Sequence, residues 1–376
     1  MHIENAYRII PVYTADVSGV CSALFELGGM TVMHDPSGCN STYNTHDETR
    51  WYDQDSLIYI SGLTEIDAVM GNDRKLIDDV IDAANRLHPK FITLCGSPVP
   101  FLNGTDFNAL ARIIEGETSI PAFAVETNGT HDYVQGAGKA LEKIAERFIK
   151  KPERKTEKTV NVLGMTPLDY ASPDSVASMR ESLESAGLTV QSVWAMGDSL
   201  DTLSLSGEAS VNLVVSQTGM AAAKYMEKHF QIPYVAGVPL GPVKDIVIEE
   251  LKNAEKEKKS KILCNQRKPN RQPEVVIIGE PVTGGSLAWA VSEKYGCSAR
   301  LFTPMEKSQE LLAKGDLLLR GEAAMEQALT DVKYIVADPL YAPVCPEKST
   351  FYELPHAAFS GRCYLREMAD LLKLLD

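Results

Sequence analysis

Short apolar runs alternate with turns and amphipathic stretches along the chain, and one theme occurs three times: a strand run, a turn rich in Gly, Pro or Ser, a helix, another strand run. In the first segment Thr31 to His34, Leu57 to Ser61 and Phe91 to Cys95 read as buried strands. Between the last two, Asp73 to Leu87 carries its apolar residues at helical spacing, and a helix is also expected over Ser18 to Leu27. The second segment offers strands at Val160 to Gly164, Thr189 to Trp194 and Val211 to Ser216, with a helix from Pro173 to Ala186. In the third, Glu274 to Gly279 and Lys333 to Ala337 are strands, and Gly284-Gly285-Ser286 opens a helix. Continuously apolar strands joined by helices belong to parallel sheets covered on both faces.

Two stretches break the pattern. The charged run from Lys150 to Lys158 has the composition of a linker. The run from Lys252 to Lys261 reads as the exposed end of a helix and is followed by the polar segment Asn265 to Gln272. The expected units are therefore 1–156, 157–270 and 271–376, and the expected fold class is α/β, with three Rossmann-like doubly wound domains and parallel sheets. A length of 376 residues suits several compact units. Neither GxGxxG after a strand nor GxxxxGK[ST] occurs, which argues against resident NAD or ATP.

Composition narrows the function classes. At 44% hydrophobic and 23% charged residues the chain has the make-up of an ordered globular protein. Its net charge of -14, from 51 acidic and 37 basic residues, makes nucleic acid an unsuitable partner. No run is long enough to span a membrane and the opening residues do not have the plan of an export signal, so a cytoplasmic location is expected. Seven cysteines, an odd number, point to metal ligands or buried thiols and not to a disulfide framework.

Two of those cysteines share a setting. Met33-His34-Asp35-Pro36-Ser37-Gly38-Cys39 puts a thiol on a turn directly after a strand, and Ile92-Thr93-Leu94-Cys95-Gly96-Ser97-Pro98 does so again. Ligands gather at the carboxyl ends of parallel strands, so both thiols could reach one edge. Turns containing Gly38 and Gly96 would leave room for an iron–sulfur cluster and free N–H groups for its sulfides. Read from the residues alone, Cys39 and Cys95 suit cluster binding and a structural thiol role equally. Cys264, Cys297, Cys345 and Cys363 show no CxxC spacing and read as buried structural thiols, with a cavity-lining place open to Cys345 in its Pro-bracketed loop.

His34 to Cys39 resembles the HGPxGC segment of the nitrogenase component 1 family, with Asp35 in place of the usual Gly. Leu63 to Leu76 is similar to the family's T-E-x-D-x-V-x-G-G-x-x-K-L block, Cys95 to Asp106 to its second ligand loop, and Glu126-Thr127-Asn128-Gly129 to its E-T-P-G turn. Val211 to Ser216, Gly237 to Pro242 and Pro355 to Arg362 resemble later blocks, in order.

The resemblance implies a three-domain reductase subunit, paired with itself as a homodimer or with a sister subunit. It would receive electrons from a separate ATP-dependent iron protein and reduce a small-molecule or macrocyclic substrate in a cavity between the domains. It implies Cys39 and Cys95 as metal ligands; two chains would then supply the four thiolates of one [4Fe-4S] cluster at a two-fold axis. Relatives with a larger iron–sulfur cluster use a third cysteine, and here Cys21 is either that ligand or a core thiol. Asp16 could replace a thiolate or cap the first helix. His34 is expected to orient the ligand turn. Ser216 stands where the molybdenum enzyme has a cofactor-binding Cys, and a hydroxyl is a poor ligand for a soft metal, which argues against that cofactor and against dinitrogen as substrate. His356 is a candidate proton donor or axial ligand, or a histidine satisfied at a domain seam. His46 and Arg50, in the polar segment Asn40 to Tyr52, could meet substrate or the partner chain, or form a surface loop. Family members that act as scaffolds for metal-cluster assembly, and a binding module without redox chemistry, are the alternatives.

Overall fold

The computed structural model describes residues 8–9, 11–38, 40–171, 173–267 and 272–375; Cys39 lies outside the described residues. Three parallel sheets follow one another along the chain. The first contains β1 (Met30–His34), β2 (Leu57–Ile60), β3 (Ile92–Gly96) and β4 (Ala122–Val125) in the order β2-β1-β3-β4. The second contains β5 (Thr159–Leu163), β6 (Thr189–Val193), β7 (Val211–Val214), β8 (Tyr234–Ala236) and β9 (Lys261–Ile262) in the order β6-β5-β7-β8-β9. The third contains β10 (Val275–Ile278), β11 (Ala299–Thr303), β12 (Leu317–Leu318), β13 (Tyr334–Ala337) and β14 (Thr350–Glu353) in the order β12-β11-β10-β13-β14. In each, the first strand of the unit has neighbours on both sides and the order turns back there, the doubly wound plan. β1, β3, β4, β5, β7, β8 and β10 are buried throughout, as strands covered on both faces must be.

The helices of the first unit are α1 (Asp16–Leu24), α2 (Glu65–Met70), α3 (Asp73–Leu87), α4 (Pro98–Asn103), α5 (Phe107–Thr118) and α6 (Tyr133–Phe148). α3 has the bounds that its periodicity predicts and buries Leu76, Ile77, Val80 and Ala84 on one face. The second unit has α7 (Pro167–Tyr170), α8 (Pro173–Glu184), α9 (Leu200–Ser204), α10 (Met220–Phe230) and α11 (Lys244–Glu257), and the third α12 (Pro281–Tyr295), α13 (Glu322–Leu329) and α14 (Ala357–Ser360). Two expectations are corrected. α12 begins at Pro281, with the Glu280 side chain accepting the Thr283 N–H, so Gly284-Gly285-Ser286 lie inside the helix and not at its start. The Lys/Glu run is the end of α11 followed by an edge strand, because Lys258 turns into the left-handed region and Lys261 pairs in β9.

α1 and α6 approach backbone to backbone. A Cβ on Gly19 would lie 2.2 Å from the carbonyl oxygen of Tyr133, and one on Gly136 would lie 1.8 Å from that of Asp16. The Asp16 carboxylate adds a tie, accepting the N–H groups of Val17 (2.8 Å), Asn128 (3.0 Å) and Gly129 (2.8 Å). The units are also interlaced by segments distant in sequence. Arg8 pairs with Glu322 at 2.6 Å, Thr14 N donates to the Ala358 carbonyl at 3.0 Å, and Ser178 Oγ donates to Asp370 at 2.6 Å.

Because the atoms facing Gly136 are main-chain atoms that no side-chain rotation can move, Gly136→Ala should lower the unfolding free energy by about 1–3 kcal/mol. Gly116→Ala, at a helical glycine facing open space, should not destabilise. Urea unfolding of the two variants checks the contrast.

Candidate functional site

β1 and β3 are neighbours where the strand order turns back, with Met33 beside Cys95 and His34 beside Gly96. A doubly wound sheet opens its ligand crevice at that point. Cys95 is fully buried there, and its Sγ–H donates to the Val32 carbonyl at 3.6 Å. Cys21 arrives from α1, also fully buried, and neighbours the Cys95 thiol; both are free cysteines. Burial first, then the hydrogen-bonding thiol of Cys95 and the charges of Cys95, Glu48 and Asp47, push the Cys21 thiol well above its ordinary range. Among the described residues no group of three His, Cys, Asp or Glu side chains converges as a metal site.

The turn that leads to residue 39 is held by the Asp35 side chain, which accepts the Ser37 N–H at 2.9 Å, while Ser37 adopts a φ of 86°. Gly38 is exposed with open space around it. Gly96 is filled differently from the expectation of a free N–H. Its N–H donates to Thr127 Oγ1 at 3.0 Å, its carbonyl accepts the same hydroxyl at 2.8 Å, and the Phe107 ring occupies the place of a Cβ. His34 bonds Ser61 Oγ through Nδ1 at 2.8 Å and lines a cleft of about 340 Å³ with Asp67, Asn72 and Asn103. Burial pushes its imidazole below the ordinary range.

Beyond the turn, a short π-helix (Tyr43–Asp47) leads into Glu48 and Arg50, both buried. Arg50 Nε donates to Glu48 at 2.7 Å, Nη1 to Glu26 (2.7 Å) and the Ala195 carbonyl (3.2 Å), and Nη2 to Glu48 (3.0 Å) and the Ser22 carbonyl (2.9 Å). All five donors of the guanidinium are thus used within the protein, and none is left for a substrate. Glu48 also accepts from Tyr43 Oη and Ser22 Oγ, each at 3.0 Å. Removing Arg50 would leave Glu48 buried and uncompensated, at a cost of about 3–5 kcal/mol. His46 stands off this network, half-buried, with its ring 4.5 Å from that of Tyr13.

The third cluster lies where the three units meet. Tyr133, fully buried on α6, donates its hydroxyl to Asp169 Oδ1 on α7, and Thr166 donates to Oδ2 at 2.8 Å. His356 Nε2 lies 3.4 Å from the same Oδ1, in ion-pair range but not aligned for a hydrogen bond. Its Nδ1 accepts the Ala358 N–H at 3.2 Å, which assigns the proton of the neutral ring to Nε2. Glu280, fully buried, accepts from Gln217 N and Thr283 N at 2.7 Å each; burial and the charge of Asp169 push its carboxyl up to about 7. Asp132, the residue before Tyr133, is raised to about 6, chiefly by burial. Ser216 is buried and local, accepting from Thr218 N (3.2 Å) and Oγ1 (3.0 Å).

The signature of the nitrogenase component 1 type oxidoreductases matches residues 18–284, well over half of the chain. The chain belongs to that family. Its curated relatives include subunits of light-independent protochlorophyllide reductase: the one from Gloeothece citriformis is 25% identical over 183 residues, 46% of this chain and 36% of its own length, and the one from Cereibacter sphaeroides 28% identical over 187 residues, 48% and 35%. The one from Prosthecochloris aestuarii is 26% identical over 219 residues, 56% of this chain and 40% of its own. The match therefore spans little more than a third of these relatives. Solved structures described as nitrogenase Cp1 share the fold: the one at pH 6.5 superposes with a TM-score of 0.70 at 16% identity, covering 96% of this chain and 92% of that one.

In this nitrogenase component 1 family member, sequence reasoning pairs Cys39 with Cys95 and leaves Cys21 open; the structure puts Cys21 against Cys95. Tyr133, Asp169 and Glu280 carry no signal in the sequence, because their relation arises only when three sheets are packed together. Glu280 and Asp47, the latter raised to about 7 by burial, have folded values above the ordinary Glu and Asp values of about 4.3 and 3.9. The folded state then binds more protons, so the stability held below about pH 4 falls as the pH rises towards about 7. Urea midpoints should drop over that window, and Glu280→Gln should flatten the slope; an equal slope in the variant would refute the assignment.

Proposed function

We propose that the chain is the iron–sulfur catalytic component of a nitrogenase-like reductase. In this reading it takes electrons from a separate ATP-dependent iron protein and reduces an unsaturated macrocycle of the tetrapyrrole class. The observation that carries the reading is the pair of fully buried, adjacent thiols of Cys21 and Cys95 at the switch point of the first sheet, next to the turn that leads to Cys39. The residues fit a sulfide-bearing cluster. Thiolates are its usual ligands, and Thr93 Oγ1, Ser97 Oγ and Asn40 Nδ2 are buried with no partner among the described residues and can donate to sulfides. Cys39 and Cys95 of two chains would hold one [4Fe-4S] cluster, which requires the fully buried Cys95 to be uncovered at the two-fold axis, and Cys21 would extend the set for a larger one. Such a cluster, when bound, supplies one-electron transfer.

The chain's own residues do the rest. Burial keeps the Cys21 thiol protonated and inert until a metal displaces its proton. His356 holds a proton at Nε2 and Tyr133 at Oη, both against Asp169, which suits the seam to give protons to a substrate that gains electrons. Ser216, tied to Thr218, supports a site without the molybdenum cofactor. Exposed Ile66, Val69 and Met70 on α2 and Phe101 and Leu102 on α4 form an apolar surface beside the ligand turns, fit for a protein partner that delivers electrons. The names of the protochlorophyllide reductase relatives favour a tetrapyrrole over other substrates.

Iron and acid-labile sulfide on anaerobically reconstituted full-length chain, with paramagnetic resonance after dithionite, test the reading. About four irons per dimer support one cubane and about eight bring in Cys21. Cys39→Ala and Cys95→Ala should abolish the cluster absorbance and Cys297→Ala should keep it; no iron, or equal loss in all three, overturns the proposal.

A further inference from the structure

Cys363 is not buried, as its surroundings in the sequence suggest, but exposed, in the short turn Gly361–Tyr364. Its Sγ lies 3.6 Å from His46 Nε2. At the other nitrogen of that ring, Nδ1 lies 3.6 Å from Asp47 Oδ1, and both atoms are buried without a hydrogen-bond partner. Asp47 is 3% exposed, and its second oxygen accepts the Ser18 hydroxyl at 2.7 Å. A buried carboxylate oxygen without a donor, facing a ring nitrogen, favours the proton on Nδ1 when Asp47 is ionised and leaves the Nε2 lone pair towards the thiol.

The backbone fixes the arrangement. Gly361 has a φ of 58°, and a Cβ there would stand 2.0 Å from His46 Nδ1, so only glycine lets the ring occupy its place. The groups that face the ring are Tyr13, Asp47, Arg362 and Cys363. Burial and the charge of Arg362 push His46 below its ordinary value, which keeps it a neutral base near pH 7. Around Asp47, burial and Glu48 raise the carboxyl while Ser18 and Arg362 lower it.

We propose that Cys363 is a nucleophilic thiol, activated by His46 and oriented through Asp47, and that it is a covalent modification site for low-molecular-weight disulfides. His46 Nε2 takes the Sγ proton, and the thiolate attacks one sulfur of the disulfide. A new S–S bond forms as the old one breaks, and the departing thiolate leaves with the bonding pair and takes the proton back from His46. Cys363 is oxidised to a mixed disulfide and the other half of the disulfide is reduced to a thiol. The reacting thiol and its base belong neither to the Cys21 and Cys95 pair nor to the seam, although the charge of Asp47 also raises Cys21.

The test is the alkylation rate of Cys363 by iodoacetamide in the native full-length chain, read by peptide mass spectrometry from about pH 5.5 to about 9.5, with the urea-unfolded chain as reference. At pH near 7.5 the native rate should exceed the reference by about threefold or more. His46→Gln should return the rate to the reference curve, Asp47→Asn should move it part of the way, and oxidised glutathione should add an adduct at Cys363. A native profile equal to or slower than the reference, or a rate that His46→Gln leaves unchanged, overturns the proposal. The rate at half-buried Cys297 monitors folding of the variants, and if His46→Gln does not fold, the wild-type profile decides alone.

Discussion

The charge of Arg50 is the constraint around which the first unit is arranged. A guanidinium taken out of water must find an acceptor for every N–H. It finds them on α1 (the Ser22 carbonyl), just beyond it (Glu26), on the segment after the π-helix (Glu48) and in the second unit (Ala195). Satisfying that one group fixes the position of Glu48 against Tyr43 and Ser22, and therefore the path of the segment that carries His46 and Asp47. The same helix brings Cys21 to Cys95. The ordering of the thiol pair and of the thiol–imidazole–carboxylate site thus shares one electrostatic cause.

The seam between the units is acidic and buried. Asp132, Asp169 and Glu280 are contributed by three units; burial raises the carboxyls of Asp132 and Glu280, with the charge of Glu306 adding to the first and that of Asp169 to the second. Tyr133 is kept protonated by the same burial and by Asp169. Glu280, pushed up to about 7, is divided between its protonated and ionised forms near neutral pH, the range in which a carboxyl can pass a proton on.

Much of the fold is legible in the sequence because parallel sheets write themselves as apolar runs. α3 and the strands around it follow from periodicity, and the strand-end position of Cys95 follows from the turn after it. The start of α12 does not, since Gly284 and Gly285 suggest a turn, whereas they serve close packing on Leu301 and Cys264 within the helix. Arg50 has the look of a residue that meets substrate; apart from Glu48, two residues away, its partners Glu26, Ser22 and Ala195 lie at sequence distances that no local pattern encodes. The seam is hidden for the same reason, as residues 133, 169, 280 and 356 meet only in three dimensions, and Cys363 lacks a visible partner in the sequence because His46 lies 317 residues away.

The interlacing of distant segments bears on how the protein is made. Arg8, Ile9, Pro11 and the Thr14 N–H find partners in residues 322–358, so a chain growing from its amino end carries these groups unsatisfied until the last sheet has been synthesised. The first sheet, whose strand pairs all lie within residues 30–125, can form long before then. Assembly therefore has an order built into it: the sheet that carries Cys95 comes early, and the seam around Tyr133, Asp169 and His356 is sealed last.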